Sequence, residues 1–345
     1  MPEGHSVHRL ARQFGDVFGG AELAVSSPQG KFASGAQLLD GHVLERAEAH
    51  GKQMFLRFSH DLVLRVHLGL YGAWDFGGDS TFTGASSIGA PRRIGEQEVG
   101  GDGAADEGGA GWAGGDWAHA SEGPSASLRA GGGRGDYSGP PEPKGAVRVR
   151  LVSAHGWADL RGPTACEVLT PAESAVVRGK LGPDPLNNLP GDAAEFARRI
   201  RKSSTGIALQ LMKQEVLAGV GNVYRAEVLF RLGLDPMLPG RSLQQGEALA
   251  LWDDVARTMA DGVRDGRIVT TELTDRPSGL GAEVGHGLSP AGVTAGLQQP
   301  NRDLPVADAH YVYKREGQPC RHCGTGIAMK ELGGRKLYWC PACQA

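Results

Sequence analysis

Four of the chain's five cysteines fall in its last 26 residues, as Cys320-x2-Cys323-x16-Cys340-x2-Cys343. Two close thiol pairs of this spacing, each on a tight knuckle, give four sulfurs the reach to surround one Zn2+ tetrahedrally. Gly333-Gly334 between the pairs suits a hairpin turn, so the expected form is a β-ribbon around one structural Zn2+. Redox or iron–sulfur use is the alternative for the same sulfurs. Their clustering argues against a disulfide framework, and the isolated Cys166 reads as a small buried hydrophobe. Arg335 and Lys336 lie at the expected hairpin tip. They read either as a solvated turn or as a phosphate-contacting finger, because a rigid hairpin can hold an arginine fork in a groove.

Upstream, the hydrophobic period changes from element to element. Val7, Leu10, Phe14 and Val17 predict a helix, with Ser6 as N-cap and Gly19-Gly20 as the stop. Apolar residues then alternate in Leu62, Leu64, Val66, Leu68 and in Val147, Val149, Leu151, which predicts strands. Residues 77–140 carry 19 of the 54 glycines, and 77–143 is expected to be a disordered insertion in a surface loop. Trp74, Trp112 and Trp117 in or near it leave a partner-binding role open. Residues 190–265 read as helical, with Leu209, Met212, Val216 and Val228, Leu229, Leu232 marking helices on either side of the turn 217–222. Gly233 and Pro236 end the second of these, and 277–300 reads as a loop.

The net charge of −3 is unevenly spread. Residues 77–140 hold nine acids and four bases, so everything else sums to +2, and the last 32 residues carry +4. Arginine outnumbers lysine 27 to 9, which suits phosphate recognition but also follows from a GC-rich genome. Charge is therefore neutral evidence. No run of about 18 apolar residues occurs and nothing at the start resembles a signal peptide, so the expectation is a soluble, cytoplasmic protein.

Two further motifs carry chemistry. In Lys213-Gln-Glu-Val-Leu-Ala-Gly-Val-Gly-Asn-Val-Tyr224 the glycines let backbone N–H groups approach a phosphate, and the following helix offers its positive end. Asn222 would equally serve as an ordinary N-cap. At the start stands Met1-Pro2-Glu3-Gly4. Removal of Met1 would expose a secondary amine, and α-amino groups have a pKa of about 7.7–8, leaving a neutral fraction able to attack a sugar C1′. Glu3 beside it could act as acid or base.

Together these motifs resemble the formamidopyrimidine-DNA glycosylase/endonuclease VIII family, most of all its endonuclease VIII-like branch. The resemblance rests on Pro2-Glu3-Gly4, His50-Gly51-Lys52, His67-Leu-Gly-Leu-Tyr-Gly72, Leu181-Gly-Pro-Asp-Pro-Leu186, Ala218-Gly-Val-Gly-Asn-Val-Tyr224, Gly317-Gln-Pro-Cys320, Gly333-Gly-Arg335 and Tyr338-Trp-Cys340-Pro-x-Cys343. It implies an α+β multi-domain chain. Residues 1–165 would form a catalytic β-sandwich with helices, 175–300 a helix–two-turn–helix DNA-binding domain, and 311–345 the zinc ribbon.

It also implies roles. Pro2 would be the Schiff-base nucleophile, Glu3 the acid that opens the sugar ring, and Lys52 the aid to β-elimination. Leu70 and Tyr71 match the wedge that fills the gap left by a flipped base, although strand-end packing is their plain alternative. Lys180 stands where the branch has a DNA-facing arginine, Asn222 and Arg335 match phosphate contacts, and Arg335 is tied to δ-elimination. Ser6 and Gly69 depart from the branch's glutamate and glutamine, which touches lesion and opposite-base preference. The implied function is a monomeric bifunctional DNA glycosylase/lyase of base excision repair that removes oxidised bases, pyrimidines foremost, from double-stranded DNA. The rivals are a catalytically silent damaged-DNA-binding protein and an enzyme limited to abasic sites.

Overall fold

A computed structural model describes residues 2–90, 139–276, 301 and 304–345. Helix α1 (Gly4–Phe18) turns Val7, Leu10, Phe14 and Phe18 into the core. It begins earlier than the sequence predicts. Glu3 is the N-cap, in extended backbone, and its carbonyl accepts from Ser6 N at 3.0 Å, so Ser6 lies within the first turn and caps nothing.

The strands are β1 (Glu22–Ser26), β2 (His42–His50), β3 (Gln53–Phe58), β4 (Leu62–His67), β5 (Ala73–Gly78), β6 (Ser87–Gly89), β7 (Val147–Val152), β8 (Gly156–Arg161) and β9 (Ala165–Leu169), with α2 (Ala33–Leu39) after β1. They pair antiparallel in the order β6-β5-β8-β7-β1-β2-β3-β4-β9. Leu56, Phe58, Leu64 and Val66 from one half and Trp74, Phe76, Val149 and Leu151 from the other join α1 in a single apolar cluster. The sandwich is thus one continuous sheet folded over a shared core. Cys166, on β9, packs against this cluster, and burial pushes its thiol up to about 12.

Two expectations change here. Residues 77–90, assigned to the insertion by composition, complete β5 and supply β6, whose Ile88 is buried. The hold is non-local: the Gln13 side chain on α1 both donates to Ala85 O and accepts from Ala85 N, at 2.8 Å each. Residues 139–143 are likewise part of the structure, with Pro141 O accepting from buried Arg150 at 2.8 Å. The expected disorder of 91–138, together with Trp112 and Trp117, lies outside the described residues, as does the loop 277–300. Trp74 is a core residue, its ring edge-on to Phe14 at 4.8 Å, and so presents nothing to a partner.

Then follow α3 (Pro171–Gly179), α4 (Asp192–Arg201), α5 (Ile207–Gln210), α6 (Asn222–Arg231) and α7 (Gln245–Asp265). Phe196, Ile200, Leu217, Tyr224, Val228, Trp252, Val255 and Met259 form their common core. The predicted helix through Leu209, Met212 and Val216 shrinks to the four residues of α5. Beyond it the Gln214 side chain takes over the backbone's hydrogen bonds, accepting from Gly219 N at 3.0 Å and donating to Val220 O at 3.1 Å. The chain closes with the hairpin β10 (Ala328–Glu331) and β11 (Lys336–Trp339), joined through Gly333 and Gly334, both at positive φ. Its Ile327, Tyr338 and Cys340 pack with Tyr311 and Val312 on Ala226 and Phe230 of α6. Among the described residues no helix is long and apolar enough to cross a membrane.

Phe14 is fully buried and lies within 5.6 Å of three aromatic rings, Phe18, Trp74 and Phe76. Phe14→Ala should lower unfolding free energy by about 3–5 kcal/mol in denaturant titration. A loss below about 1 kcal/mol would mean that α1 is not an organising element of the sandwich.

Candidate functional site

The ribbon's four sulfurs all lie within 4.8 Å of one another. Cys320 and Cys343 are 3.9 Å apart and Cys323 and Cys340 3.5 Å. A tetrahedron with Zn–S of about 2.3 Å has edges of about 3.8 Å, so the four cysteines fit a zinc ion. This is a closed set of protein ligands, as a structural site requires. Gln344 ties it to the helical core, accepting from Cys340 N at 2.9 Å and donating to Leu234 O at 3.0 Å.

At the other end of the chain, Pro2 and Glu3 are buried. The Glu3 carboxylate leaves its own helix and accepts from Gly221 N and Val223 N, each at 2.9 Å, at the N-terminus of α6. Gly221 is the N-cap of α6 and has no side chain to offer, so Glu3 supplies the cap from across the molecule. Asn222 is therefore a first-turn residue and does not cap. A Cβ on Gly221 would stand 2.4 Å from the Glu3 carboxyl carbon.

Three glycines make that approach possible. Gly4 N donates to Gly219 O at 2.9 Å. A Cβ on Gly4 would be 2.9 Å from the Gly219 Cα, and one on Gly51 would be 2.8 Å from Gly219 N. Gly51, at φ +59, and Lys52 form the two-residue turn between β2 and β3, where His50 pairs with Gln53. The same turn is gripped by Asp184, which lies in the motif 181–186 but had no role assigned from sequence. Its buried carboxylate accepts from Gly51 N and from His8 Nε2, both at 2.7 Å. Burial works against the Asp184 charge, but His8 and the Gly51 and Leu186 amides hold its carboxyl below the ordinary value.

Lys52 donates from Nζ to Val220 O at 2.7 Å. Burial lowers its pKa from the usual value; the Glu3 charge opposes this and the Arg335 charge adds to it. Arg335 sits half-buried at the ribbon tip and Lys336 beside it is exposed. Lys336 O accepts from Asn222 Nδ2 at 2.9 Å, and the Asn222 Oδ1 accepts from Arg225. Arg225 is wholly buried, and burial brings it down to about 10, with Arg335 contributing. Thus Glu3, Lys52, Asn222 and Arg335, scattered over the chain, converge on one locus beside Pro2.

Glu227 was not legible as a site residue, yet it fixes this geometry. Fully buried on α6, it accepts from Tyr311 N, Val312 N and Tyr313 N at 2.8–2.9 Å and from the Thr270 hydroxyl. The signal available was a lone acid among Ala226, Val228, Leu229 and Phe230. Behind the N-terminus, His5 is buried edge-on to Tyr224 at 5.5 Å, and burial followed by the Arg9 charge pushes it down to about 3. Leu70 and Tyr71 project from the β4–β5 loop with 39% and 76% of their surface exposed, which excludes strand-end packing for Tyr71. Lys180 is exposed at the C-cap of α3, and among the described residues nothing bonds it to the Glu3–Lys52–Arg335 group.

Comparison with known proteins adds the following. Residues 1–95 match the model of the formamidopyrimidine-DNA glycosylase N-terminal domain, 181–273 that of the formamidopyrimidine-DNA glycosylase H2TH domain, and 317–345 that of the zinc finger found in FPG and IleRS. The protein called Endonuclease 8 1 from Mycobacterium tuberculosis is 39% identical over 344 residues, 100% of both chains. A formamidopyrimidine-DNA glycosylase from Thermus thermophilus is 33% identical over 168 residues, 48% of this chain and 54% of that one. Among solved structures, a Lactococcus lactis Fpg complex with DNA containing an abasic site superposes with TM-score 0.62 at 17% identity, over 99% of each chain. Another, a complex of LlFpg with THF-DNA and an inhibitor, gives 0.64 at 16% over 100% of each. At such identities these two establish the fold.

Two outcomes follow from the geometry. Metal analysis should return one zinc per chain, and Cys340→Ser should release it and unfold the ribbon, seen as proteolytic loss of residues from about 311 onward. A folded protein that carries no zinc would contradict the closed four-cysteine site. Gly51→Ala should cost about 1–3 kcal/mol or more from positive φ alone, with Ala218 and Gly219 in the way. Unchanged urea unfolding would show that the seam tolerates separation.

Proposed function

The chain belongs to the formamidopyrimidine-DNA glycosylase/endonuclease VIII family and is a DNA glycosylase of base excision repair; from that premise we propose that it is also a lyase, which uses Pro2 as its nucleophile. The observation that carries this reading is the seat of Glu3 at the head of α6, with Lys52 one backbone carbonyl away on Val220. It supports a site in which the amine of Pro2, the Glu3 carboxyl group and the Lys52 cation act together, the set a Schiff-base elimination needs.

With Met1 removed, the Pro2 nitrogen lone pair forms a bond to C1′ of the flipped nucleotide as the bond from C1′ to the damaged base breaks. The Glu3 carboxylate takes the proton that the Pro2 nitrogen sheds on bonding to C1′ and passes it to O4′ as the C1′–O4′ bond opens, leaving an iminium between Pro2 and C1′, while the departing base takes its proton from water. Loss of the C2′ proton then expels the 3′ phosphate, and a second elimination, drawing on the C4′ proton, expels the 5′ phosphate. Water hydrolyses the iminium and frees Pro2. Lys52 and Arg335 are the cations beside the departing phosphates, with Asn222 next to them at the start of α6. Zinc, held by Cys320, Cys323, Cys340 and Cys343, supplies the rigid ribbon on which Arg335 is mounted.

The partner is double-stranded DNA carrying a damaged or abasic nucleotide, with Leu70 and Tyr71 entering the stack and Lys180 on its backbone. The enzyme would act as a monomer in the cytoplasm. Preference for oxidised pyrimidines is supported by Gly4, by the Leu70-Tyr71 pair and by full-length similarity to a protein called Endonuclease 8 1, where the glycosylase relatives named for formamidopyrimidine align over shorter stretches.

Borohydride trapping on abasic DNA tests the nucleophile. Protein retaining Met1 or a tag should bind DNA yet give no covalent adduct, whereas full trapping with a blocked N-terminus would overturn the reading; a silent DNA-binding protein would trap in neither form. Arg335→Ala should lessen the salt slope of binding by about one unit and let β-elimination products accumulate. Lys336→Ala should weaken binding without altering the product ratio. An Arg335→Ala enzyme with unchanged slope and unchanged products would return that residue to a solvated turn.

A further inference from the structure

A flipped nucleotide leaves two vacancies in a duplex: the stack, and the Watson–Crick edge of the base that stays behind. Leu70 is apolar and Tyr71 is largely so, which suits them to the stack. Leu70 has no hydrogen-bonding group and Tyr71 only the hydroxyl at the far end of its ring, and Gly69, the residue before them on the loop, has no side chain.

The structure shows what fills that place. Leu68-Gly69-Leu70-Tyr71-Gly72 is closed by Gly72 N donating to Leu68 O at 3.0 Å. Gly69 has φ +66, and a Cβ on it would lie 1.8 Å from the Thr164 Oγ1 and 2.9 Å from the Thr164 Cβ. The volume of a residue-69 side chain is therefore occupied by Thr164, from the β8–β9 turn. That turn is built into the loop. Thr164 N donates to His67 O at 2.8 Å, where β4 and β9 begin to pair through His67 and Ala165. On the other side Gly162, at φ +57, lets the Tyr71 carbonyl approach, since a Cβ there would be 2.9 Å from Tyr71 O. Thr164 is nevertheless exposed, and its hydroxyl has no hydrogen-bond partner among the described residues.

We propose that Thr164 is the specificity-determining residue for the base opposite the lesion: its hydroxyl, standing where a residue-69 side chain would, hydrogen-bonds the Watson–Crick edge of the orphaned base. The inference rests on reading Leu70 and Tyr71 as the wedge. A hydroxyl rotates and both donates and accepts, so it pairs with any of the four bases, better with some edges than with others. The enzyme accordingly tolerates every opposite base with graded rates, in contrast to an enzyme whose wedge carries a fixed donor–acceptor pattern.

The test is single-turnover cleavage of duplexes with one abasic site opposite A, C, G, T or a second abasic position, using the full-length protein. Thr164→Val removes the hydroxyl at nearly constant shape. It should slow cleavage opposite the four bases unequally, by roughly two- to tenfold, the range of one hydrogen bond, and leave the duplex without an opposite base unaffected. Thr164→Ser should keep the wild-type profile. Equal slowing on all five duplexes, or none on any, would overturn the assignment. Leu70→Ala and Tyr71→Ala separate the two readings. If they leave cleavage unchanged the wedge itself is wrong; if they slow it severalfold while Thr164→Val leaves the profile intact, only the role of Thr164 is wrong.

Discussion

The Glu3 carboxylate at the head of α6 is the contact on which the site depends. A carboxylate is expensive to bury unless its oxygens are bonded, and here both accept backbone amides that α6 leaves free in its first turn. Although Glu3 is the N-cap residue of α1, its side chain takes no bond from that helix. Satisfying Glu3 and satisfying the end of α6 are thus one event. That event sets the start of α1 against the turn 217–222, where Gly4 N meets Gly219 O, and it constrains Gly4, Gly51, Gly219 and Gly221 together.

Helix α6 serves as a bracket in the other direction. Asn222 holds the Lys336 carbonyl at the ribbon tip, and Glu227 holds three consecutive amides of the segment that leads into the ribbon. One helix therefore carries the N-terminus at its head and the ribbon along its flank. Zinc keeps the ribbon stiff, and α6 decides where it points. Arg335 acquires its place beside Lys52 from both.

The parts legible in the sequence were those whose physics is local. Cysteine spacing sets a metal geometry by itself, and the Gly333-Gly334 turn sets a hairpin. The alternation in Val147, Val149 and Leu151 holds whatever the strand pairs with. The parts that misled were those decided at a distance. Ser6 is a good N-cap by type, but the helix starts at Gly4 because Glu3 is held elsewhere. Residues 77–90 look unstructured by composition, and are ordered by Gln13 on another element. Asn222 looks like a cap and is a strut to the ribbon, because Glu3 already caps its helix. Asp184 stood inside the motif 181–186 with no role attached, and Glu227 carries no motif beyond its charge; both buried acids align the pieces.

The bonds that make the site join residues far apart along the chain: Glu3 to Gly221 and Val223 across 218 and 220 positions, Lys52 to Val220 across 168, and Asn222 to Lys336 across 114. Contacts of such high order form late, after the chain has paid the entropy of closing long loops. During synthesis the sandwich can condense around its own core well before the helical segment leaves the ribosome. Until α6 arrives, Glu3 lacks the Gly221 and Val223 amides that it binds in the folded chain. The cluster of Glu3, Lys52, Asn222 and Arg335 is therefore complete only once the last residues of the ribbon are in place.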